Sequence, residues 1–153
     1  MRMPTVSSPL LRQQYPNLRA EESLVLLAHI RAQGVDSIDR LRTQVRCGEG
    51  EKPPNLDEKW QAVANDLSRW KIDAVIEYPG RSEIVELKSR ATHTAMGQVN
   101  AYAAALEDVP EERSEFVKTV AAFRNHPDFE LGAKNNDVRL ALYPQADPTD
   151  SSR

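Results

Sequence analysis

Asp73, Glu86 and Lys88 are the residues of this chain whose types and spacing could do chemistry together. A hairpin centred on Pro79-Gly80 would set Asp73 opposite Glu86, with their Cβ atoms about 5 Å apart on one face. Because side chains alternate along a strand, Lys88 would project from the same face as Glu86, roughly 7 Å further along. Like charges directly opposite each other destabilise a sheet, so the two acids need a positively charged partner.

A divalent cation is the partner that this set predicts. Carboxylates and a main-chain carbonyl are the hard ligands that magnesium prefers, with waters in the other positions. Such a cation can polarise a phosphodiester and acidify a bound water, while Lys88 can orient that water and stabilise charge on phosphorus. The residues therefore predict metal-dependent phosphodiester hydrolysis. The alternative is a solvated strand face, since an acid followed some way on by Glu-x-Lys often occurs by chance.

The turn decides whether the two acids meet. Proline followed by glycine favours a type II turn, whose twist suits a two-residue hairpin poorly. We therefore expect a wider, four-residue loop. A symmetric widening would keep Asp73 opposite Glu86, whereas an odd-length loop would move them apart.

The elements around the hairpin predict one α/β layer structure. The strand at 37–47 should carry Leu41, Thr43 and Val45 on one side, and Cys47 should be half-buried in this strand. His29 should lie on the surface of the first helix. Helices are predicted at 18–33, 56–67 and 94–106, and strands at 37–47, 71–78, 82–88, 116–123 and 138–143.

Composition limits the classes of function. The 153 residues suit one domain, which we expect at 18–143 between an arm at 1–17 and a tail at 144–153. No apolar run approaches the roughly 20 residues of a membrane span, so a cytoplasmic protein is expected. The net charge of −3 argues against coating nucleic acid by charge alone. A single cysteine excludes an internal disulfide and a multi-cysteine zinc site.

Three stretches resemble one family: 72–75 (Ile-Asp-Ala-Val), 84–88 (Ile-Val-Glu-Leu-Lys), and the pair Gln98 and Tyr102. Together they resemble the PD-(D/E)xK nuclease superfamily, and the pair is similar to the QxxxY motif of its RecB-like branch. The resemblance covers roughly 18–123 and implies a restriction-endonuclease-like αβββαβ core, a mixed sheet flanked by helices. Ile72 stands where the family name has proline.

The resemblance also implies roles for individual residues. Catalysis would fall to Asp73, Glu86, Lys88 and Gln98. A magnesium or manganese ion would be held by Glu22, Asp73, Glu86 and the main chain of Leu87. The family carries a metal-site acid on its first helix, for which Glu22 is the candidate and Glu21 the alternative. A helix-start carboxylate that interacts only with the helix dipole is an equal explanation for both.

DNA is the expected partner, with RNA left open and a homo-oligomer compatible with the sequence. We expect phosphate or base contacts from the residues that flank the acids in sequence. These are Arg42, Arg46, Lys71, Arg81, Arg90 and Tyr102. Each of the cations could equally be a solvated charge at a strand edge, and Tyr102 could equally be a core residue. The small size resembles stand-alone phage and prophage nucleases. Two alternatives remain: a nuclease fold kept as a DNA-binding or phage assembly subunit with little catalysis, and a structural virion or interaction protein.

Overall fold

The chain forms a five-stranded mixed sheet with helices on both faces, seen here in a computed structural model. Residues 15, 17–51, 53–113 and 115–149 are described, without the side chains of residues 66–68. The helices are α1 (Ala20–Gln33), α2 (Glu58–Ser68), α3 (His93–Glu107) and α4 (Phe129–Asn135). The strands are β1 (Arg40–Cys47), β2 (Trp70–Tyr78), β3 (Arg81–Ala91), β4 (Val117–Asn125) and β5 (Val138–Leu142). The expected α/β class is confirmed at this level.

The strands lie in the sheet in their order along the chain. β1, β2 and β3 pair antiparallel, whereas β3, β4 and β5 pair parallel. A parallel pair needs a crossover connection, and α3 and α4 provide the two that this sheet requires. β3 is therefore the central strand, antiparallel to one neighbour and parallel to the other.

A separate apolar core covers each face of the sheet. On one face, α1 packs Val25, Leu26 and Ile30 against the sheet, where Leu87 is fully buried. On the other face, α3 packs its own apolar side, including Val99, against the opposite side of the strands. The burial of Leu87 confirms that it points into the core, which leaves its neighbours Glu86 and Lys88 for the opposite face.

The hairpin between β2 and β3 has the expected register from the turn as far as Ala74, where the ladder ends before Asp73 and Glu86 can pair, and its turn is shorter than expected. Tyr78 pairs directly with Arg81, and Ala74 pairs with Val85. The connection therefore has two residues, so the expected four-residue loop is wrong. Gly80 makes the tight turn possible because it adopts a φ of 78°, the left-handed value that type II turns require. The Arg81 guanidinium also lies over the Tyr78 ring, at 4.2 Å from its centroid, and ties the two strands together.

β1 changes the face that its side chains occupy partway along the strand. Leu41 packs on the α1 side of the sheet and Val45 on the α3 side, so the prediction that they share one side is wrong. The cause is Gln44, whose φ of 53° breaks the alternation of the strand. Thr43 and Val45 both pair with β2, whereas Gln44 pairs with no residue of that strand.

The remaining segments position little of the candidate site. Asp57 caps α2 by accepting a hydrogen bond from the Trp60 backbone at 3.0 Å, yet Trp60 itself stays exposed. The expected arm at 1–17 lies outside the described residues except for Tyr15 and Asn17. The described part of the expected tail holds a short 3₁₀ helix, Pro144–Ala146. No helix in the described part of the chain is long and apolar enough to cross a bilayer.

Candidate active site

Asp73 lies where β2 loses its pairing with both neighbouring strands. The ladder with β3 ends at Ala74, and the ladder with β1 skips Asp73 opposite the irregular Gln44. Every other residue of β2 pairs with one neighbour or the other. The backbone N–H of Leu87 donates instead to Oδ2 of Asp73 at 2.9 Å, so the acid side chain bridges the two strands where the ladder stops.

Asp73 and Glu86 meet side chain to side chain at this break. Burial, together with the charge of Asp73, raises the pKa of Glu86 to about 8. Burial also raises the pKa of Asp73, against the lowering effect of the Leu87 N–H. Protonated Glu86 can donate a hydrogen bond to the Asp73 carboxylate, which lowers the cost of holding the two groups together. Without a cation, the pair therefore resists carrying two negative charges.

Lys88 is the cation that accompanies the pair. Its Nζ lies 3.7 Å from Oε2 of Glu86, which is only 2% exposed, whereas a third of the Lys88 side chain remains exposed. Lys88 therefore shares a face with Glu86, as strand alternation predicts. One ammonium group beside two carboxylates leaves the cluster with a formal excess of negative charge.

Glu22 of α1 lies close enough to the pair for its charge to act on Asp73. Its charge contributes to the raised pKa of Asp73, so the two carboxylates are electrostatic neighbours. Its side chain also accepts a hydrogen bond from the Arg19 backbone N–H at 3.2 Å, which caps α1. In the described residues, no group of three or more His, Cys, Asp or Glu side chains could hold a metal ion. Glu21 is exposed and has no comparable effect on Asp73.

α3 brings Gln98 and Tyr102 towards the acids, as their four-residue spacing predicts. Burial raises the pKa of Tyr102, and the charges of Glu86 and Asp73 raise it further, so its hydroxyl is electrostatically close to the pair. Gln98 hydrogen-bonds Tyr102, yet its Oε1 is buried with no hydrogen-bond partner in the described residues. A buried carbonyl oxygen without a partner is an available acceptor beside the acids.

Trp70 is a candidate residue that the sequence reasoning missed. Its ring lies 5.7 Å from that of Tyr102 and tilts by 47°, and the side chain is 52% exposed. An exposed tryptophan at the start of a strand, three residues before Asp73, is a signal that could have identified it. Exposed aromatic rings are the surfaces on which single-stranded bases stack.

The expected phosphate contacts are divided between different parts of the sheet. Arg46 and Lys71 pair across β1 and β2 near Asp73, and Arg90 follows Lys88 on β3 as an exposed residue. Arg42 instead forms a bidentate ion pair with Glu112, with N–O distances of 2.7 and 2.9 Å. Arg81 lies at the hairpin turn, away from the acids, so the structure does not bring it to them.

A second buried carboxylate on the opposite face has a full set of partners. Glu83 accepts hydrogen bonds from His29 at 3.0 Å, Tyr78 at 2.7 Å and Thr119 at 2.5 Å. The prediction that His29 lies on the helix surface is therefore wrong, because α1 turns it inward to this acid and to the Tyr143 hydroxyl at 2.6 Å. Cys47 is likewise fully buried rather than half-buried.

The contrast between the two buried acids shows what the candidate site can do. Glu83 is fully hydrogen-bonded and serves packing, whereas Asp73 and Glu86 resist ionising together and can offer oxygens to a ligand of positive charge. Paired carboxylates beside a lysine can hold a divalent cation and act on a phosphate ester. The sequence matches no protein-family model, and no curated protein and no solved structure is significantly similar to it.

Proposed function

We propose that this protein is a metal-dependent nuclease of the PD-(D/E)xK type that hydrolyses DNA phosphodiester bonds. The observation that carries the proposal is the contact of two buried acids, Asp73 and Glu86, beside Lys88 at a break in the sheet. The order α1, β1, β2, β3, α3, β4 supports a restriction-endonuclease-like αβββαβ core, with α2 inserted between the first two strands.

The chemistry of the donor set fits a hard divalent cation. Asp73 and Glu86 provide carboxylate oxygens, the main chain of Leu87 provides a carbonyl, and Glu22 adds negative charge nearby. A magnesium or manganese ion bound there would polarise the phosphate and acidify an attacking water. Such an ion would also neutralise the two crowded carboxylates and offset the cost of burying them.

Lys88 is the residue that we assign to the reacting water and the phosphate. In hydrolysis the water oxygen bonds to phosphorus, the ester P–O bond breaks, and the leaving oxygen takes up a proton. Negative charge grows on the phosphoryl oxygens along the way, and an ammonium group 3.7 Å from Glu86 is placed to stabilise it. The unpartnered Oε1 of Gln98 can accept a hydrogen bond from the water and fix its orientation.

Tyr102 and Trp70 form a small aromatic surface beside the acids. Stacking on such rings does not depend on base identity, and it requires bases that are free of a duplex. Single-stranded or frayed DNA is therefore the substrate form that this surface favours. Arg46 and Lys71 lie beside Asp73 along β1 and β2, and exposed Arg90 follows Lys88 on β3, so these are the cations that we assign to phosphate contacts.

The test is incubation of the purified chain with labelled single-stranded, duplex and branched DNA, and with RNA, in millimolar manganese. We expect cleavage of DNA that EDTA abolishes, and a loss of at least a hundredfold in Glu86→Gln. Glu77→Gln is the matched control, because Glu77 is a half-buried β2 carboxylate that pairs with Arg40. Equal loss in both variants, or cleavage that persists in EDTA, would contradict the proposal.

A DNA-binding or phage assembly subunit with little turnover is the second candidate. It is favoured by the hydrogen bond that Glu22 accepts from the Arg19 backbone N–H at 3.2 Å, which engages this acid in the cap of α1. This candidate predicts metal-stimulated DNA binding without product. Binding of labelled DNA in calcium, followed by addition of manganese, separates the two: the nuclease releases cleaved product, and the binding subunit returns intact DNA.

A further inference from the structure

A cavity with a charged lining lies at the hairpin end of the sheet, away from the acids. Its volume is about 720 Å³, and it lies where β3, β4 and β5 begin. Ser82 lines it and precedes Glu86 by four residues, which places the two roughly 13 Å apart along β3. Cavities of this size accommodate small organic ligands. The proposed nuclease chemistry does not use this cavity.

Cations outnumber acids in the lining. The charged residues there are Arg81, Arg113, Lys118 and Arg139, with Glu115 and Asp137. In the described part of the chain, none of these cations lies within ion-pair distance of a carboxylate, in contrast to Arg42 and Arg124 elsewhere. Lys118 is held instead by neutral oxygens, donating to Asn100 at 2.8 Å and to the Asn136 carbonyl at 3.2 Å. Unpaired cations around a cavity attract anions.

A buried hydroxyl gives independent support for a ligand. Ser82 is 2% exposed, and its Oγ has no hydrogen-bond partner among the described residues. Buried polar atoms are almost always paired, so an orphaned hydroxyl in a cavity wall calls for an acceptor or donor within the cavity. The Arg81 guanidinium lies 4.2 Å from the centroid of the Tyr78 ring, and a guanidinium can donate two parallel N–H bonds to a bidentate oxygen ligand.

We propose that this cavity is a phosphate-binding site. Phosphate offers several acceptor oxygens and negative charge, which match a set of arginine and lysine donors and a serine hydroxyl. The cavity volume exceeds that of a bare phosphate and leaves room for an attached nucleoside. Two sources share this chemistry: a free mononucleotide and the backbone of a nucleic-acid strand.

The site is tested by titrating the full chain in EDTA, which keeps divalent metal from the acids and makes this experiment independent of the nuclease proposal. The probes are inorganic phosphate, thymidine 5′-monophosphate and a short oligothymidylate, observed through the backbone amide signals of Ser82 and Lys118. We expect saturable shifts of those signals with phosphate. Equal affinity for monophosphate and oligomer indicates a mononucleotide site, whereas much tighter binding of the oligomer indicates a strand site.

Two variants make the test specific. Arg139→Gln should weaken phosphate binding about fivefold, the loss of one charge-assisted contact at an exposed position. Ser82→Ala should also weaken binding while raising the melting temperature of the free protein, because it removes a buried unpaired hydroxyl. Arg31→Gln, on the exposed side of α1, is the control and should change neither. Absence of saturable shifts, or unchanged binding in both cavity variants, would overturn the proposal.

Discussion

The two buried carboxylates that meet across β2 and β3 set the behaviour of the site at the scale of single residues. Each has lost most of its water, and together they have one nearby ammonium group, that of Lys88. A buried charge without full compensation destabilises the folded state. We therefore expect the two carboxylates to lower the free energy of unfolding of the metal-free protein. A cation that fits the site should raise it.

Asp73→Asn tests this expectation both without metal and with metal. Without metal, the variant should be as stable as the wild type or more so, because it removes a buried negative charge while the amide oxygen can still accept from the Leu87 N–H and from protonated Glu86. Manganese at roughly 100 times Kd should add about 2.7 kcal/mol to the wild type and raise its melting temperature by several degrees. The variant should lose most of that shift.

The measurement is thermal melting with EDTA, with calcium and with manganese. Asp36→Asn serves as the control, since Asp36 is an exposed aspartate distant from the pair in sequence, and it should respond to metal as the wild type does. An identical response of wild type and Asp73→Asn would show that the metal binds elsewhere.

Glu83 predicts a pH dependence of stability that is independent of the candidate site. Burial alone would raise the pKa of Glu83, but hydrogen bonds and positive charge from His29, with the hydroxyls of Thr119 and Tyr78, lower it. A carboxyl with a lowered folded pKa stabilises the protein above its unfolded pKa of about 4.3. That stabilisation is lost as the pH falls through the folded value.

Glu83→Gln should therefore cost about 2 kcal/mol at pH 7, and the difference from wild type should shrink at pH values below about 4. Glu77→Gln, on the neighbouring strand, should cost less than about 0.5 kcal/mol because its partner Arg40 is largely exposed. Urea unfolding across pH measures both. A gap between Glu83→Gln and wild type that stays constant down to pH 3 would contradict the assignment.

At the scale of elements, the tight turn between β2 and β3 determines the register that brings the acids together. Gly80 has a φ of 78°, and no atom lies within 4 Å of the position that a Cβ would occupy, so alanine there would meet only backbone strain. We expect Gly80→Ala to destabilise the protein by about 1 kcal/mol. The measurement is chemical denaturation.

Gly97→Ala is a matched control that should change the stability of the protein in the opposite direction. Gly97 is an exposed residue inside α3, also with no atom within 4 Å of its Cβ position, and alanine should stabilise the helix there by about 1 kcal/mol. Destabilisation by both substitutions would mean that contacts, rather than backbone conformation, govern these positions.

The sequence predicts the order and type of the elements because their signals are local. Strand alternation and the Pro-Gly turn are enough to pair Ala74 with Val85 and so to bring Asp73 towards Glu86. The change of face in β1 could not be predicted, because it depends on a left-handed φ at Gln44, a residue type that does not favour that conformation.

The inward position of His29 could not be predicted for a different reason. Its buried state depends on Glu83, a partner 54 residues away that only the assembled sheet places under α1. Glu83 precedes Glu86 by three residues and so projects from the other face of β3, and only packing distinguishes a fully paired acid from one that is available to a ligand. The candidate site could be predicted because its acids flank a local turn.

At the scale of the whole molecule, the net charge of −3 limits how the protein can hold nucleic acid. Four cations lie near the acids along the strands: Arg46, Lys71, Lys88 and Arg90. If each contacts one phosphate of a single strand, the logarithm of the binding constant should fall with the logarithm of salt concentration with a slope of about −3. Binding to oligothymidylate in calcium across a salt series measures this slope. A slope steeper than about −6 would require cations outside this group.

The central claim is that Asp73, Glu86 and Lys88 form a hydrolytic centre, and Lys88 tests it most directly. Metal binding alone does not need its ammonium group, whereas stabilisation of the transition state does. The decisive measurement is the single-turnover rate of manganese-dependent DNA cleavage by wild type, Lys88→Ala and a control, Lys134→Ala, which changes an exposed lysine in the last turn of α4. We predict a rate reduced by at least a hundredfold in Lys88→Ala, with its metal-induced melting shift retained, and a rate within about threefold of wild type in the control. Cleavage by Lys88→Ala at the wild-type rate would contradict the account.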